Sequence, residues 1–144
     1  MMTMTKEEIR QYNPHRDPIQ LVDEVLNLVP GESVKAVFRV PEDMAIFQGH
    51  FPGNPIYPGV YSIESMGQAA NLMIATLDRY KGKTPLLFKV NHAVFRAQIK
   101  PGDTVILEAE VLQESIPKGI ITCGCRSVVN GVVAAECEIV AAMR

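Results

Sequence analysis

The chain has 144 residues, 47% of them apolar and 21% charged, with a formal net charge of −2. That is enough chain for one secure core and too little for two, and it carries no surplus positive charge for nucleic acid or an anionic membrane. No run approaches the length that spans a bilayer, and the N-terminal MMTMTKEEIRQYNP lacks the apolar core of a secretory signal, so a cytoplasmic protein without membrane insertion is expected.

A single domain over residues 1–144 is expected, because no repeat, low-complexity tract or linker interrupts the pattern. Thr5 and Glu8 have capping-box spacing, which predicts a short helix to about Gln11, stopped by Asn13-Pro14. Ile19–Val29 reads as a strand ending at the Pro30-Gly31 turn, and Ser33–Val40 alternates with Val34, Ala36, Phe38 and Val40 on one face. Pro41 to Pro58 is dense in Pro and Gly, the kind of long loop that is functional or partly helical. Gly59–Tyr80 is the one long helix, opened by Pro58-Gly59 and closed by Lys81-Gly82. Its apolar residues (among them Val60, Ile63, Met66, Leu72 and Ile74) cover most of its circumference, as in a buried helix, which puts Glu64 and Gln68 in an apolar setting.

The remainder is β: Leu86–Ile99, Thr104–Glu114, Gly119–Val129 and Val132–Ala142, with Asn130-Gly131 the strongest hairpin signal. The short turns between them predict an antiparallel meander. Of three cysteines, Cys123 and Cys125 stand two apart, the spacing of one strand face and not of a zinc knuckle or redox pair; reduced thiols are expected. The fold class is α+β: a curled antiparallel sheet of about six strands wrapped around one long buried helix, the hot dog arrangement.

Three features suited to acid–base chemistry at a carbonyl fall within 14 positions. His50 has a side chain that titrates near working pH and suits a base. Glu64 suits an acid if burial raises its pKa. The helix N-terminus at Gly59 offers unpaired backbone N–H groups and space for a carbonyl oxygen. Each also has an ordinary explanation: a loop histidine on the surface, or a buried glutamate bonded to Gln68.

The run GHFPGNPIYPGVYSIESMGQAA, Gly49 to Ala70, closely resembles the signature of the FabZ-type 3-hydroxyacyl-acyl carrier protein dehydratases. Its elements are His50-Phe51-Pro52-Gly53, Pro55, Pro58-Gly59-Val60, Glu64 and Gln68. Pro14-His15-Arg16 with Pro18, Leu21-Val22-Asp23, Phe95-Arg96 and Pro101-Gly102-Asp103 extend the likeness over nearly the whole chain. The resemblance implies dehydration of a (3R)-hydroxyacyl thioester to the trans-2-enoyl product, in fatty acid or related biosynthesis. It further implies His50 as base, Glu64 as acid and the Gly59 N–H polarising the thioester. Phe51, Tyr57, Val60, Tyr61 and Gln68 would line the substrate site. It also implies a homodimer in which His50 of one subunit faces Glu64 of the other, with members assembling further as trimers of dimers, and no metal or organic cofactor. Acyl carrier protein would be the partner, and Lys81, Lys83, Lys89, Arg96 and Lys100 are candidates for its docking rim.

The chain departs from the family pattern at Tyr57 and Tyr61, commonly Met and Leu, at Ser65 and Gly67, commonly Ala, and at Asn91-His92, often Asp-Lys. Tyr57 and Tyr61 are expected either to reshape the acyl channel or to be neutral changes at packing positions. Gly67 should cost the helix about 1 kcal/mol against Ala unless close packing requires it. His15, Arg16 and His92 carry structural expectations only, His92 as a hydrogen-bonded packing residue. Two rivals stand beside the dehydratase. One is a hot dog thioesterase, against which the His50 segment argues. The other is a non-catalytic acyl-carrier-protein-binding subunit, against which the presence of both acid–base residues argues.

Overall fold

In a computed structural model, which describes residues 2–144, seven antiparallel strands form one sheet. Strand β1 (Met2–Met4) is followed by helix α1 (Lys6–Ile9), then by β2 (Glu24–Val29) and β3 (Ser33–Arg39). A 3-10 turn at Ala45–Gln48 interrupts the Pro/Gly-rich loop before helix α2 (Gly59–Ala75). A second 3-10 turn at Asp78–Tyr80 leads into β4 (Pro85–Phe95), β5 (Thr104–Ser115), β6 (Ile120–Val129) and β7 (Val132–Met143). Thr5 and Glu8 form the expected capping box, each side chain satisfying the other residue's N–H. Asn130 and Gly131 both take positive φ in the β6–β7 turn, which matches the twist of the strands it joins.

The sheet order is β1-β2-β3-β5-β6-β7-β4. The expected meander therefore holds for β5-β6-β7 but not for β4, which pairs with β7 at the far edge. The connection back, residues 96–103, runs beneath the start of α2, where Ile99 is buried and its carbonyl accepts the Tyr57 N–H at 2.7 Å. β4 also ends at Phe95 and not at Ile99, because those residues are used in the crossover.

Two further boundaries differ from the sequence reading, each for a local reason. Ile19–Asp23 is not a strand: Leu21 N–H donates to Gln68 Oε1 (2.8 Å) and Ile19 C=O accepts from Gln68 Nε2 (2.7 Å). A side-chain amide thus takes the backbone groups a neighbouring strand would have used. α2 stops at Ala75, five residues short of Tyr80, because Thr76 Oγ1 bonds the Leu72 carbonyl at 2.8 Å and Gly31 N–H takes the Met73 carbonyl. The three-residue β1, paired with β2, is too short to show a period in the sequence.

α2 lies on the concave face of the sheet, packed chiefly on β3, β5 and β6. Met66, Ala69, Leu72, Met73 and Ile74 are buried against Val34, Ala36, Leu107, Ile121 and Ile139. Val60, counted with the buried set from sequence, is 69% exposed on the first turn. Cys123 and Cys125 share the inner face of β6 as expected, and burial pushes the Cys123 thiol up to about 12, where it is inert. His92 is exposed with positive φ at an irregularity in β4, and so is not the packing residue expected. Among the described residues, no helix is long and apolar enough to cross a membrane.

Gly67 has no packing reason. A methyl group there would lie 3.5 Å from Ile139 Cδ1, an ordinary contact. Gly67→Ala should therefore raise stability by about 1 kcal/mol through backbone entropy, measured as a shifted denaturant midpoint at unchanged slope. Past α2, Arg79 grips Glu114 on β5 with two hydrogen bonds (2.8 and 2.7 Å) and Tyr80 O–H adds a third at 2.6 Å. The Arg79 bonds hold the Glu114 carboxyl below its ordinary range, so its contribution is present at neutral pH and is lost as pH falls through the depressed value. Glu114→Gln should cost about 1 kcal/mol at pH 7, and the gap from the parent chain should close on acidification.

Candidate active site

The loop before α2 is shaped around His50 by backbone bonds. His50 N–H donates to Ile46 C=O (2.9 Å), Ile56 N–H donates to His50 C=O (3.0 Å), and a tight turn between them is closed by mutual bonds of Phe51 and Asn54. The His50 ring Nδ1 sits 2.8 Å from the Ile56 carbonyl. A carbonyl can only accept, so Nδ1 carries the proton, and in the neutral ring Nε2 is left with a free lone pair. The Phe51 ring, itself 47% exposed, stacks on His50 with centroids 3.9 Å apart, which limits rotation of the imidazole.

One turn of α2 defines the other half. Gln68, 2% exposed, is committed at every polar atom: Oε1 accepts from Leu21, and Nε2 donates to Ile19 C=O and to Glu64 Oε2 (2.8 Å). The Leu21 bond forbids an amide flip, since it requires an oxygen at that position. Glu64 Oε2 is therefore fixed as an acceptor, and Oε1 is the oxygen free to hold a proton. The Glu64 side chain is 39% exposed, so its own protomer does not supply the desolvation expected from the apolar composition of the helix.

Glu64, Gln68 and Gly67 line a cavity of about 90 Å³ that continues along α2 past Asn71 to Ile74. Leu86 and Leu87 of β4, Cys123 of β6 and Ile139 of β7 form its apolar walls. His15 also opens onto it, with Nε2 3.4 Å from Glu64 Oε2. His15 carried only a structural expectation, and the one signal available in the sequence was its place in the Pro14-His15-Arg16 segment.

At the head of α2 no side chain caps the helix, and the first donors used are those of Tyr61 and Ser62, both to the Pro58 carbonyl. The Gly59 and Val60 N–H groups have no partner among the described residues. They are free to polarise an incoming carbonyl. A Cβ at Gly59 would meet the exposed Phe95 ring at 2.9 Å, so a larger residue here would have to push that ring aside, a contact that the sequence did not reveal.

Tyr57 and Tyr61 do not line the Glu64 cavity within the protomer. Tyr57 is buried against Phe38, meets Tyr61 edge-on at 5.8 Å, and shares a 2.8 Å hydrogen bond with Ser65 Oγ. Two departures from the family pattern, Tyr57 and Ser65, therefore satisfy each other in the core. Burial pushes the Tyr57 phenol far up, so it stays a neutral partner. Tyr61 faces a separate groove with Ile19, Phe38 and Met44. Lys81, Lys83, Lys89, Arg96 and Lys100 are all exposed, with Arg96 paired to Glu136.

His50 and Glu64 do not meet within one chain: among the described residues no hydrogen bond or ion pair joins them, and His50 is not a wall of the Glu64 cavity. β4, an edge strand next to that cavity, exposes Leu86, Leu87, Phe88, Val94 and Phe95.

Residues 13–138 match the family profile described as a FabA-like domain. A 3-hydroxyacyl-(acyl-carrier-protein) dehydratase FabZ of Ruminiclostridium cellulolyticum is 43% identical over 140 residues, 97% of each chain. That of Clostridium acetobutylicum is 42% identical over 142 residues, 96% of each. In fold, the chain is similar to a solved dehydratase heterocomplex, ApeI:P of Xenorhabdus doucetiae, with a TM-score of 0.77 at 16% identity over 94% of this chain and 90% of that one. With the hot dog architecture and identity above two-fifths over almost its full length, the chain belongs to the FabZ family of 3-hydroxyacyl-(acyl-carrier-protein) dehydratases, built on a FabA-like domain.

Proposed function

We propose that this chain removes water from a (3R)-hydroxyacyl group carried on acyl carrier protein, giving the trans-2-enoyl thioester, as a cytoplasmic enzyme of fatty acid or related biosynthesis. The observation that carries this reading is the complementary presetting of two side chains. His50 is held so that Nε2 is a bare base, and Glu64 is held so that Oε1 can carry a proton.

In the reaction, His50 Nε2 takes a proton from the carbon next to the thioester carbonyl, and the electron pair moves toward the carbonyl oxygen. The unpartnered Gly59 N–H, at the positive end of α2, faces that growing charge. Glu64 Oε1–H then protonates the hydroxyl on the next carbon, the C–O bond breaks, water leaves, and the C–C double bond forms. The proton on His50 and the vacancy on Glu64 are reset through solvent. The thioester is untouched, which separates this reaction from hydrolysis.

A second copy of the chain completes the site. Neither group reaches the other in the protomer, and the exposed apolar edge at β4 is a surface that monomers rarely leave open. A two-fold dimer gives each Glu64 the partner's histidine and supplies the desolvation that its own chain withholds. The acyl chain would run along the cavity lined by α2 and β4. The exposed basic residues are suited to docking acidic acyl carrier protein.

Incubation with a panel of 3-hydroxyacyl-acyl carrier proteins, read by mass spectrometry, should show loss of one water with the thioester intact. His50→Ala and Glu64→Gln should each lower kcat by about 100-fold or more. Release of free carrier thiol would assign a thioesterase, and turnover at the background rate in both wild type and His50→Ala would assign a non-catalytic subunit.

A further inference from the structure

The segment bearing His15 is fastened to α2 beside Glu64. Asn13 Nδ2 donates to the Gln68 carbonyl (2.9 Å), Asn71 Nδ2 donates to Asn13 Oδ1 (2.7 Å), and the Arg16 guanidinium closes the loop onto the Asn13, His15 and Arg10 carbonyls. These bonds hold the imidazole against Glu64 with 23% of its side chain exposed. The other ring nitrogen, Nδ1, is buried and has no hydrogen-bond partner among the described residues.

That asymmetry selects a protonation state. A proton on Nε2 lies on the side of Glu64 Oε2, 3.4 Å away, and a small shift that closes and aligns the two side chains would make a hydrogen bond of the contact. A proton on Nδ1 would be a buried donor with nothing to accept it, a more costly defect than a bare lone pair. Of the influences on His15, burial and Arg16 disfavour a charged ring and Glu64 alone favours it. Arg16 lies beside it, Glu64 faces it from α2, and the Cys123 thiol across the cavity on β6 is uncharged. β4 and β7 contribute only apolar walls there. Burial lowers the His15 pKa against the pull of Glu64, with Arg16 lowering it further, so the ring is neutral at working pH.

We propose that His15 is a positioning residue for Glu64: as a neutral imidazole it aims Nε2–H at Glu64 Oε2, so that together with Gln68 it fixes this oxygen as the acceptor and leaves Oε1 to hold and deliver the proton. What that proton does rests on the dehydratase reading; the pairing itself does not. Neutrality of the ring is essential. Passing the Glu64 proton to His15 would leave an imidazolium–carboxylate pair with no acid at Glu64, and the burial that disfavours a charged His15 keeps that proton on the carboxyl.

Two variants separate this role from packing. His15→Phe fills the space without a donor, and His15→Gln offers an N–H that never becomes charged. The Glu64 carboxyl carbon, followed by 13C NMR across pH in the purified dimer, should show an inflection at the His15 titration in wild type. That inflection should vanish in His15→Gln. His15→Phe should lower kcat about tenfold with KM little changed, and His15→Gln should recover most of that loss at pH 8. Superimposable Glu64 titrations in wild type and His15→Gln would overturn the proposal, whether or not His15→Phe folds. A wild-type protein with no dehydratase turnover but an intact Glu64–His15 inflection would instead refute the reaction and leave the pairing standing.

Discussion

A single buried amide organises the functional half of this fold. Gln68 has both side-chain polar atoms committed: it holds Ile19 and Leu21 of the incoming chain, and through its backbone carbonyl it holds Asn13. Its remaining side-chain donor goes to Glu64. Each buried polar group left unmet in such a network costs about 1–3 kcal/mol, so the segment from Asn13 to Leu21 cannot move without breaking several at once. Glu64 is oriented by the same contact that fastens the N-terminal segment to the helix. Stability and the direction of a carboxyl group are thus one constraint.

The second constraint is the separation of His50 from Glu64 within one chain. The loop ending at Pro58 and the helix beginning at Gly59 are continuous in sequence, yet His50 and Glu64 are presented without contact. Under the proposed reaction, a protomer with His50 as base, Glu64 as acid and free N–H donors at a helix head would have the parts of an elimination catalyst but not their assembly. In the proposed dimer the exposed β4 edge, with Leu86 and Leu87 already forming walls of the Glu64 cavity, would link dimer formation to closure of the substrate channel. Burying that edge would also dry the surroundings of Glu64, which strengthens every polar interaction there.

Features encoded by neighbouring residues were readable from the sequence. The Thr5–Glu8 capping box, the Asn130-Gly131 hairpin, the start of α2 at Gly59 and the thiol face of β6 all depend on spacing alone. Features set by distant partners were not. Ile19–Asp23 has strand composition but surrenders its backbone to Gln68, some 47 residues away. β4 looks like the next strand of a meander and instead crosses to the far edge. Gly59 was read as making room for a carbonyl oxygen, and the structure adds the Phe95 ring. Tyr57 and Ser65 looked like separate oddities until their hydroxyls met in the core. His15 was passed over because a histidine between Pro14 and Arg16 in a loop has no helical or strand spacing to connect it with Glu64.

The most direct test of the shared site is to mix two inactive proteins. His50→Ala and Glu64→Gln dimers, each lacking one half of the pair, are combined, allowed to exchange subunits, and assayed for dehydration. Random exchange restores one intact site in each mixed dimer, so activity should return to about a quarter of wild type per site. A mixture that stays inactive after mass spectrometry shows that mixed dimers have formed would contradict a base and an acid contributed by different copies.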